Sequence, residues 1–343
     1  MSRSSDDMHH TTHHATPAHD LSCAAEVHDT HEAHGARDVS AVAEVSAVSS
    51  AAAHALSAYA RTYEDHKQQD FLRERRRYLE ERIERACEAA HRYREDVRFM
   101  AVSKTVDVAT VYNAYQVGYR FFGENRPQEL KRKSEALAAL VASSHISFDM
   151  IGNLQSNKIN MVLPHAELIH SISSIDLARK LSKHACAQGL VKHILLEVNT
   201  SGELSKSGFS KEELLEYLEE IAQLPGVCIQ GLMTMAAAGA PLAARRSFEK
   251  LRLLRDECEQ RINHRLPVLS CGMSGDFEEA IAEGSTLIRL GRIVFDPAYP
   301  LADAVAGSSA APAPAAPTTA PAAPAQAPAP APDPRQESGT FLP

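Results

Sequence analysis

The stretch "HILLEVNTSGELSKSGFSKEELLEYLEEIAQLPGVCIQGLM" (193–233) contains one complete structural repeat. Its apolar run "HILLEVN" (193–199) is a buried strand, followed by a glycine-flanked polar loop (201–208). Ser210 and Glu213 form a capping box ahead of Leu214, Leu215, Leu218 and Ile221, whose spacing gives a helix one apolar face. Pro225-Gly226 ends that helix, and "VCIQGLM" (227–233) returns to a strand. A strand, a crossover helix and a second strand make a parallel βαβ unit.

The alternation repeats outward in both directions. Further short apolar runs occur at "VRFMAV" (97–102), "YRFFG" (119–123), "SFDMIG" (147–152), "LIHSI" (168–172), "VLSCGM" (268–273) and "TLIRLG" (286–291), making eight candidate strands. Pro127 opens another helix, and Gly189 closes the one that starts near Ile175. A long helix over 70–95 precedes the first strand and is expected across the bottom or side of the fold. A doubly wound sheet shows the same alternation. Eight units within about 230 residues, close to the ~250 typical of the fold, favour a single (β/α)8 TIM barrel of the α/β class.

Composition changes at both ends of the 343-residue chain. Residues 1–66 hold ten of the seventeen histidines among Ala, Ser, Asp and Glu, and are expected to be a disordered extension. Residues 301–343 are dominated by Ala-Pro repeats, which cannot sustain a helical or sheet hydrogen-bond ladder, and are expected to be an extended tail. The barrel is assigned to 67–300. A net charge of -8 argues against nucleic acid as a partner. No run of about 18 apolar residues is present, so no membrane span is expected and the chain reads as cytoplasmic. The six cysteines form no CxxC pair, which suggests reduced thiols and no thiolate metal site. His145, His165 and His170 have no mutual spacing that demands a metal, so no metal is expected.

In either α/β architecture, function gathers beyond the carboxyl ends of the strands. Lys104 stands there after the first strand. It is either a surface lysine or, desolvated in a barrel mouth, an amine that forms a Schiff base with an aldehyde. Ser274, in "GMSGDFEEAI" (272–281) after the seventh strand, can cap the following helix and offer a phosphate site. After the eighth strand, Gly291 permits close backbone approach, with Arg289 and Arg292 on either side. A barrel's common phosphate site lies after strands seven and eight. A lysine opposite such a site suggests an aldehyde that carries a phosphate, and pyridoxal 5′-phosphate is that kind of molecule.

Eight ordered motifs also match a known family. They are "AVSKT" (101–105), "FGEN" with "QE" (122–125, 128–129), "IGNLQSNK" (151–158), "SSID" (173–176), "EVNTSGELSKSGF" (197–209), "GLMTM" (231–235), "GMSGDFEEAI" (272–281) and "GSTLIRLG" (284–291). Through them the chain from about 69 to 297 resembles the pyridoxal phosphate homeostasis proteins. The resemblance implies a barrel like the N-terminal domain of alanine racemase, of the fold-type III class of pyridoxal phosphate proteins. It implies the cofactor held as a Schiff base on Lys104, phosphate contacts from Ser274 and from backbone around Gly291 and Arg292, and Arg289 near the pyridine nitrogen. Asn125 and Met273 would line the ring's surroundings. The family usually has threonine where this chain has Arg292, which either replaces the hydroxyl's bond or points away.

The implied role is intracellular cofactor homeostasis without dedicated turnover, with no catalytic residue. Apo-enzymes that use the cofactor are the expected recipients, and the chain is expected to be a monomer or weak dimer. The alternative is a barrel-only racemase or lyase, which needs a second base such as Tyr112, Tyr115 or Glu197. A third reading, a vestigial barrel whose tails recruit partners, also stands at this point. Gln155, Asn157 and Lys158 form either a polar cluster at the mouth or an ordinary helix start. Cys271 is expected to be a small buried filler near the phosphate site.

Overall fold

The computed structural model describes residues 63–201, 207–236 and 241–301. Eight parallel strands close into a barrel in sequence order. They are β1 (Arg98–Val102), β2 (Phe121–Glu124), β3 (Ser147–Met150), β4 (Leu168–Ile172), β5 (Lys192–Glu197), β6 (Val227–Met233), β7 (Val268–Ser270) and β8 (Leu287–Leu290). Every expected strand is present, and the TIM barrel rather than the doubly wound sheet is the outcome. The largest difference is at β7, which stops at Ser270 instead of running on to Met273. Gly272 turns there to φ +92°, and a Cβ on it would lie 2.6 Å from that of Ala280.

The helices outside the barrel are α1 (Tyr63–Ala89), α2 (Val108–Gln116), α3 (Pro127–Ala136), α4 (Ala138–Ala142), α5 (Ile159–Val162) and α6 (Ile175–Ala187). They continue with α7 (Lys211–Gln223), α8 (Pro241–Ile262), α9 (Phe277–Ala282) and α10 (Arg292–Phe295). The local signals act as expected. Ser210 Oγ accepts from the Glu213 N–H (3.1 Å) while Glu213 accepts from the Ser210 N–H (2.9 Å) at the start of α7. Pro127 is the first residue of α3. Gly189 follows α6 at φ +64°.

Helix α1 solves a packing problem at the barrel's seam. The helix that follows β8 has only four residues, too few to cover the seam. Instead α1 packs against α2, α9 and α10, so it lies on the barrel's side. Gln68 Nε2 donates to Thr110 Oγ1 (3.1 Å) near the start of α2, and Arg76 Nη1 donates to the Val117 carbonyl (3.4 Å) beyond its end. The two helices therefore run the same way. Leu72, Leu79, Ile83 and Cys87 form the buried stripe of α1. Its start at Tyr63 takes in residues 63–66, which composition alone assigned to the extension; residues 1–62 and 302–343 lie outside the described residues.

Strand β1 closes the barrel on β8, pairing Arg98 with Leu287, Met100 with Arg289 and Ala101 with Leu290. Its other edge pairs Ala101 with Phe122 and Val102 with Gly123 of β2. A Cβ on Gly123 would meet Met100 Sδ at 2.4 Å, so this glycine makes room for an inward methionine. Among the described residues no helix is long and apolar enough to cross a membrane. Cys87, Cys186, Cys258 and Cys271 are free thiols, as expected, whereas Cys228 is disulfide-bonded.

Replacing Ile83, fully buried where α1 covers the seam, with alanine removes packing that nothing else can supply. Ile83→Ala should lower unfolding stability by about 2–5 kcal/mol, read from the denaturant midpoint at constant slope.

Candidate functional site at the carboxyl ends of the strands

Alternation along each strand decides which side chains face the interior. Met100, Arg289, Ser270, His170, Asp149 and Glu197 share the inward parity, and the polar five gather toward the carboxyl end. Arg289 Nη1 donates to Ser270 Oγ at 2.6 Å, and its Nη2 donates to the Thr234 carbonyl at 3.0 Å. Ser270 Oγ lies 3.0 Å from His170 Nδ1, and His170 Nε2 lies 3.2 Å from Asp149 Oδ2. Arginine can only donate, so the serine hydroxyl is free to donate onward to Nδ1. That fixes the proton of a neutral His170 on Nε2, facing Asp149.

The chain of bonds thus runs through β8, β7, β4 and β3 and holds Arg289 at a set position. Burial lowers the pKa of Arg289, opposed by Cys271, Asp276 and Glu197. Burial raises the Glu197 carboxyl above its usual range, although Ser207 Oγ donates to it at 2.9 Å and Arg289 favours its charged form.

The loop after β7 and the turn after β8 meet. Ser274 Oγ accepts from the Ile293 N–H (3.3 Å), inside α10, and the Tyr299 hydroxyl donates to the Ser274 carbonyl (2.6 Å). Ser274 therefore does not cap α9, as its position in sequence suggested. Asp276 holds the position before α9, and Gly272 redirects the loop so that the hydroxyl reaches across to the next repeat. The Asp276 carboxylate accepts from the Met273 N–H at 2.6 Å and so shapes the same loop. Burial raises the pKa of this carboxyl against that bond and against Arg289. The Arg292 guanidinium rests over the Tyr299 ring, 5.5 Å from its centre.

Gly291 tests whether a group belongs here. Its φ of -107° suits any residue, and a Cβ would sit 3.5 Å from Val102, in ordinary contact. Neither backbone nor protein packing requires glycine there. A bare backbone beside Ser274 Oγ and the start of α10 is instead what a phosphate needs for close approach. The residues present therefore fit a phosphate-bearing group.

Lys104 sits two residues beyond Val102, in the turn between β1 and α2 that the Val106 N–H closes onto the Ser103 carbonyl at 3.1 Å. It is exposed and makes no hydrogen bond or ion pair among the described residues. The desolvation expected of a nucleophilic lysine is thus not provided by those residues, because β1 ends before reaching it. Asn125 is exposed immediately after β2. A Cβ on Gly152 would lie 2.2 Å from the Asn125 carbonyl oxygen, so that glycine lets the loop after β3 approach Asn125. Met273 is also exposed at the rim. The fold therefore collects Lys104, Asn125, Met273, Ser274, Arg289, Gly291 and Arg292 at one end of the barrel.

Other candidates separate. Tyr115 stacks edge-on to His145 and under Arg120, residues that precede β3 and β2, so it lies at the opposite end from Lys104. Tyr112 is tucked beside it on α2. Gln155, Asn157 and Lys158 belong to a 3-10 turn and its N-cap after β3. Cys271 is a buried filler whose thiol burial pushes up to about 11. His165 and His145 bond to Ser134 and Ser143, and no group of three metal-ligating residues occurs among the described residues. Most of the 201–208 loop lies outside those residues.

The relay from Asp149 to Arg289 escaped the sequence analysis. Its only trace there was the polar residues Asp149, His170 and Ser270 inside the apolar runs "SFDMIG", "LIHSI" and "VLSCGM". It has a pH consequence. Burial holds the pKa of His170 below its usual 6.5, against the pull of Asp149. A depressed value in the folded state means stability is present above pH 6.5 and is lost as pH falls through the folded-state value. The melting temperature should therefore drop on acidification below that point, and His170→Gln should flatten the slope.

Comparison with known proteins agrees with the fold. Residues 77–297 match the family model described as alanine racemase, N-terminal domain. The pyridoxal phosphate homeostasis protein of Aquifex aeolicus is 41% identical over 216 residues, spanning 63% of this chain and 93% of that protein. That of Pseudomonas aeruginosa is 40% identical, spanning 62% and 90%. PipY of Synechococcus elongatus, solved with pyridoxal phosphate bound, superposes with a TM-score of 0.55 at 34% identity, covering 62% of this chain and 99% of PipY. Alanine racemase of Corynebacterium glutamicum shares the fold, with a TM-score of 0.52 at 15% identity, covering 66% of this chain and 61% of the racemase. With its closed barrel and its match to 90% or more of the two homeostasis proteins' length, the chain belongs to the pyridoxal phosphate homeostasis protein family.

Proposed function

We propose that this chain binds pyridoxal 5′-phosphate at the carboxyl end of its barrel and holds it for cellular use rather than consuming it in turnover. The observation that carries the reading is the junction of Ser274 with the Gly291 turn. It is built around a glycine that the protein itself does not need, one strand from Lys104. The relatives' name and the cofactor bound to PipY support it.

In this reading Lys104 would hold the cofactor through its aldehyde group. Ser274 Oγ and the backbone at Gly291 and Arg292 take the phosphate. Asn125 and Met273 flank the ring. Arg289, held by Ser270 and the Thr234 carbonyl, keeps a positive charge near the pyridine nitrogen and disfavours its protonation. When bound, the cofactor supplies an electrophilic carbon and an electron-withdrawing ring. An unprotonated ring is a weaker electron sink, which suits carriage more than catalysis. The binding unit starts with the helix at Tyr63 and runs to about residue 300, and the setting is the cytoplasm, where apo-enzymes accept the cofactor.

One observation favours the second reading, a barrel-only racemase or lyase. Glu197 is a buried carboxyl with raised pKa facing the interior, a usable base. Incubating the loaded protein with single-enantiomer amino acids in heavy water separates the two. Slow or absent α-deuterium exchange is expected, and rapid exchange abolished by Glu197→Gln would replace carriage with turnover.

Two substitutions test the site. Lys104→Ala should remove the absorbance band near the visible edge that the loaded protein shows, while the phosphate cradle remains. Gly291→Ala should leave unfolding stability within about 0.5 kcal/mol of the parent and weaken cofactor binding by about tenfold, measured by fluorescence titration.

A further inference from the structure

Behind the mouth, on the outer side of the sheet, lies a charged cluster that the site described above does not use. Lys133 of α3 and Glu124 of β2 are both fully buried, with Nζ 2.6 Å from Oε1. The same Nζ donates to the Ser103 carbonyl at 2.7 Å, and Ser103 Oγ donates to Glu124 Oε1 at 2.6 Å. Glu124 Oε2 is buried and has no hydrogen-bond partner among the described residues.

Such a cluster is a poor way to gain stability. A buried ion pair scarcely repays its desolvation, and an unpaired carboxylate oxygen adds to the cost. An apolar pair would pack α3 against the barrel at less expense. What the charges supply is geometry. The Ser103 carbonyl belongs to the peptide whose nitrogen is that of Lys104, and Glu124 is bonded in sequence to Asn125. One ammonium group therefore holds the last peptide before Lys104 and the side chain of the residue before Asn125. Backbone bonds complete the frame, with Ser103 N–H to the Gly123 carbonyl at 3.0 Å and Ile151 N–H to the Glu124 carbonyl at 2.9 Å. The turn that follows Ser103 leaves the strand, so its direction depends on this fixed peptide.

We propose that Lys133, Glu124 and Ser103 are positioning residues that aim Lys104, with Asn125, into the mouth. The inference rests on the reading of Lys104 as the point of covalent attachment. The cluster touches no cofactor and acts through the backbone, and its effect falls on the link to the aldehyde rather than on the phosphate cradle.

The test compares two probes on the full-length protein. Pyridoxal 5′-phosphate can form the Schiff base; pyridoxine 5′-phosphate, with an alcohol in place of the aldehyde, reports the cradle alone. In the variant Glu124→Gln/Lys133→Met, which removes both charges together, the bound aldehyde should be released about tenfold faster and the visible-edge band should fall. Affinity for pyridoxine 5′-phosphate should be unchanged. Glu124→Gln/Lys133→Gln, which can still donate to the Ser103 carbonyl, should recover part of the band. Should the first variant fail to fold, Ser103→Ala, which removes only the bond to Glu124, carries the same comparison with a smaller shift.

A normal band and release rate in the variants would overturn the positioning role and leave the functional reading intact. Equal loss of both probes would make the cluster merely structural and also overturn it. Absence of the band in the parent protein would sink the reading of Lys104 itself, and this inference with it.

Discussion

The seam between β1 and β8 is the constraint on which the site depends. Pairing Met100 with Arg289 and Ala101 with Leu290 puts Val102 against Gly291 and aligns the strand end that leads to Lys104 with the turn at Gly291 and Arg292. A slip of one residue would turn Arg289 outward, because side chains alternate between faces. The seam in turn depends on α1, since the four-residue helix after β8 cannot shield it.

Around the seam the protein separates two tasks by face. Inside, a hydrogen-bonded run from Asp149 through His170 and Ser270 holds one arginine whose charge is costly to bury. Outside, Lys133 bonds both the carbonyl of the peptide leading to Lys104 and the carboxylate of Glu124, the residue before Asn125. Both arrangements place charge in low-dielectric surroundings, where it contributes little net stability and much directional control. Lys104, Asn125 and Met273, in the turns at this end, are exposed.

The fold was legible because each repeat announces itself locally. Ser210 with Glu213, Pro127 and Gly189 act within a few residues of where they stand, and those local effects survive folding unchanged. Lys104, Ser274 and Gly291 were legible for a related reason: strand ends map to one face of any barrel. The role of Ser274 was misjudged within that frame. Local pattern favours capping the next helix, but its hydroxyl instead meets an amide nineteen residues further along. Lys133 gave no signal, for a lysine within "ELKRKSEAL" (129–137) reads as solvated, and only packing buries it.

By itself the sequence determined the alternation of strands and helices, the helix caps, and which residues stand at the carboxyl ends of strands, because these follow from spacing and backbone preference. Tertiary structure alone decided that α1 fills the place beside β8, that His170 and Arg289 share one relay, and that Lys133 reaches the Ser103 carbonyl. Each of those contacts joins residues far apart in the chain, and their pairing is set by barrel closure rather than by any local rule.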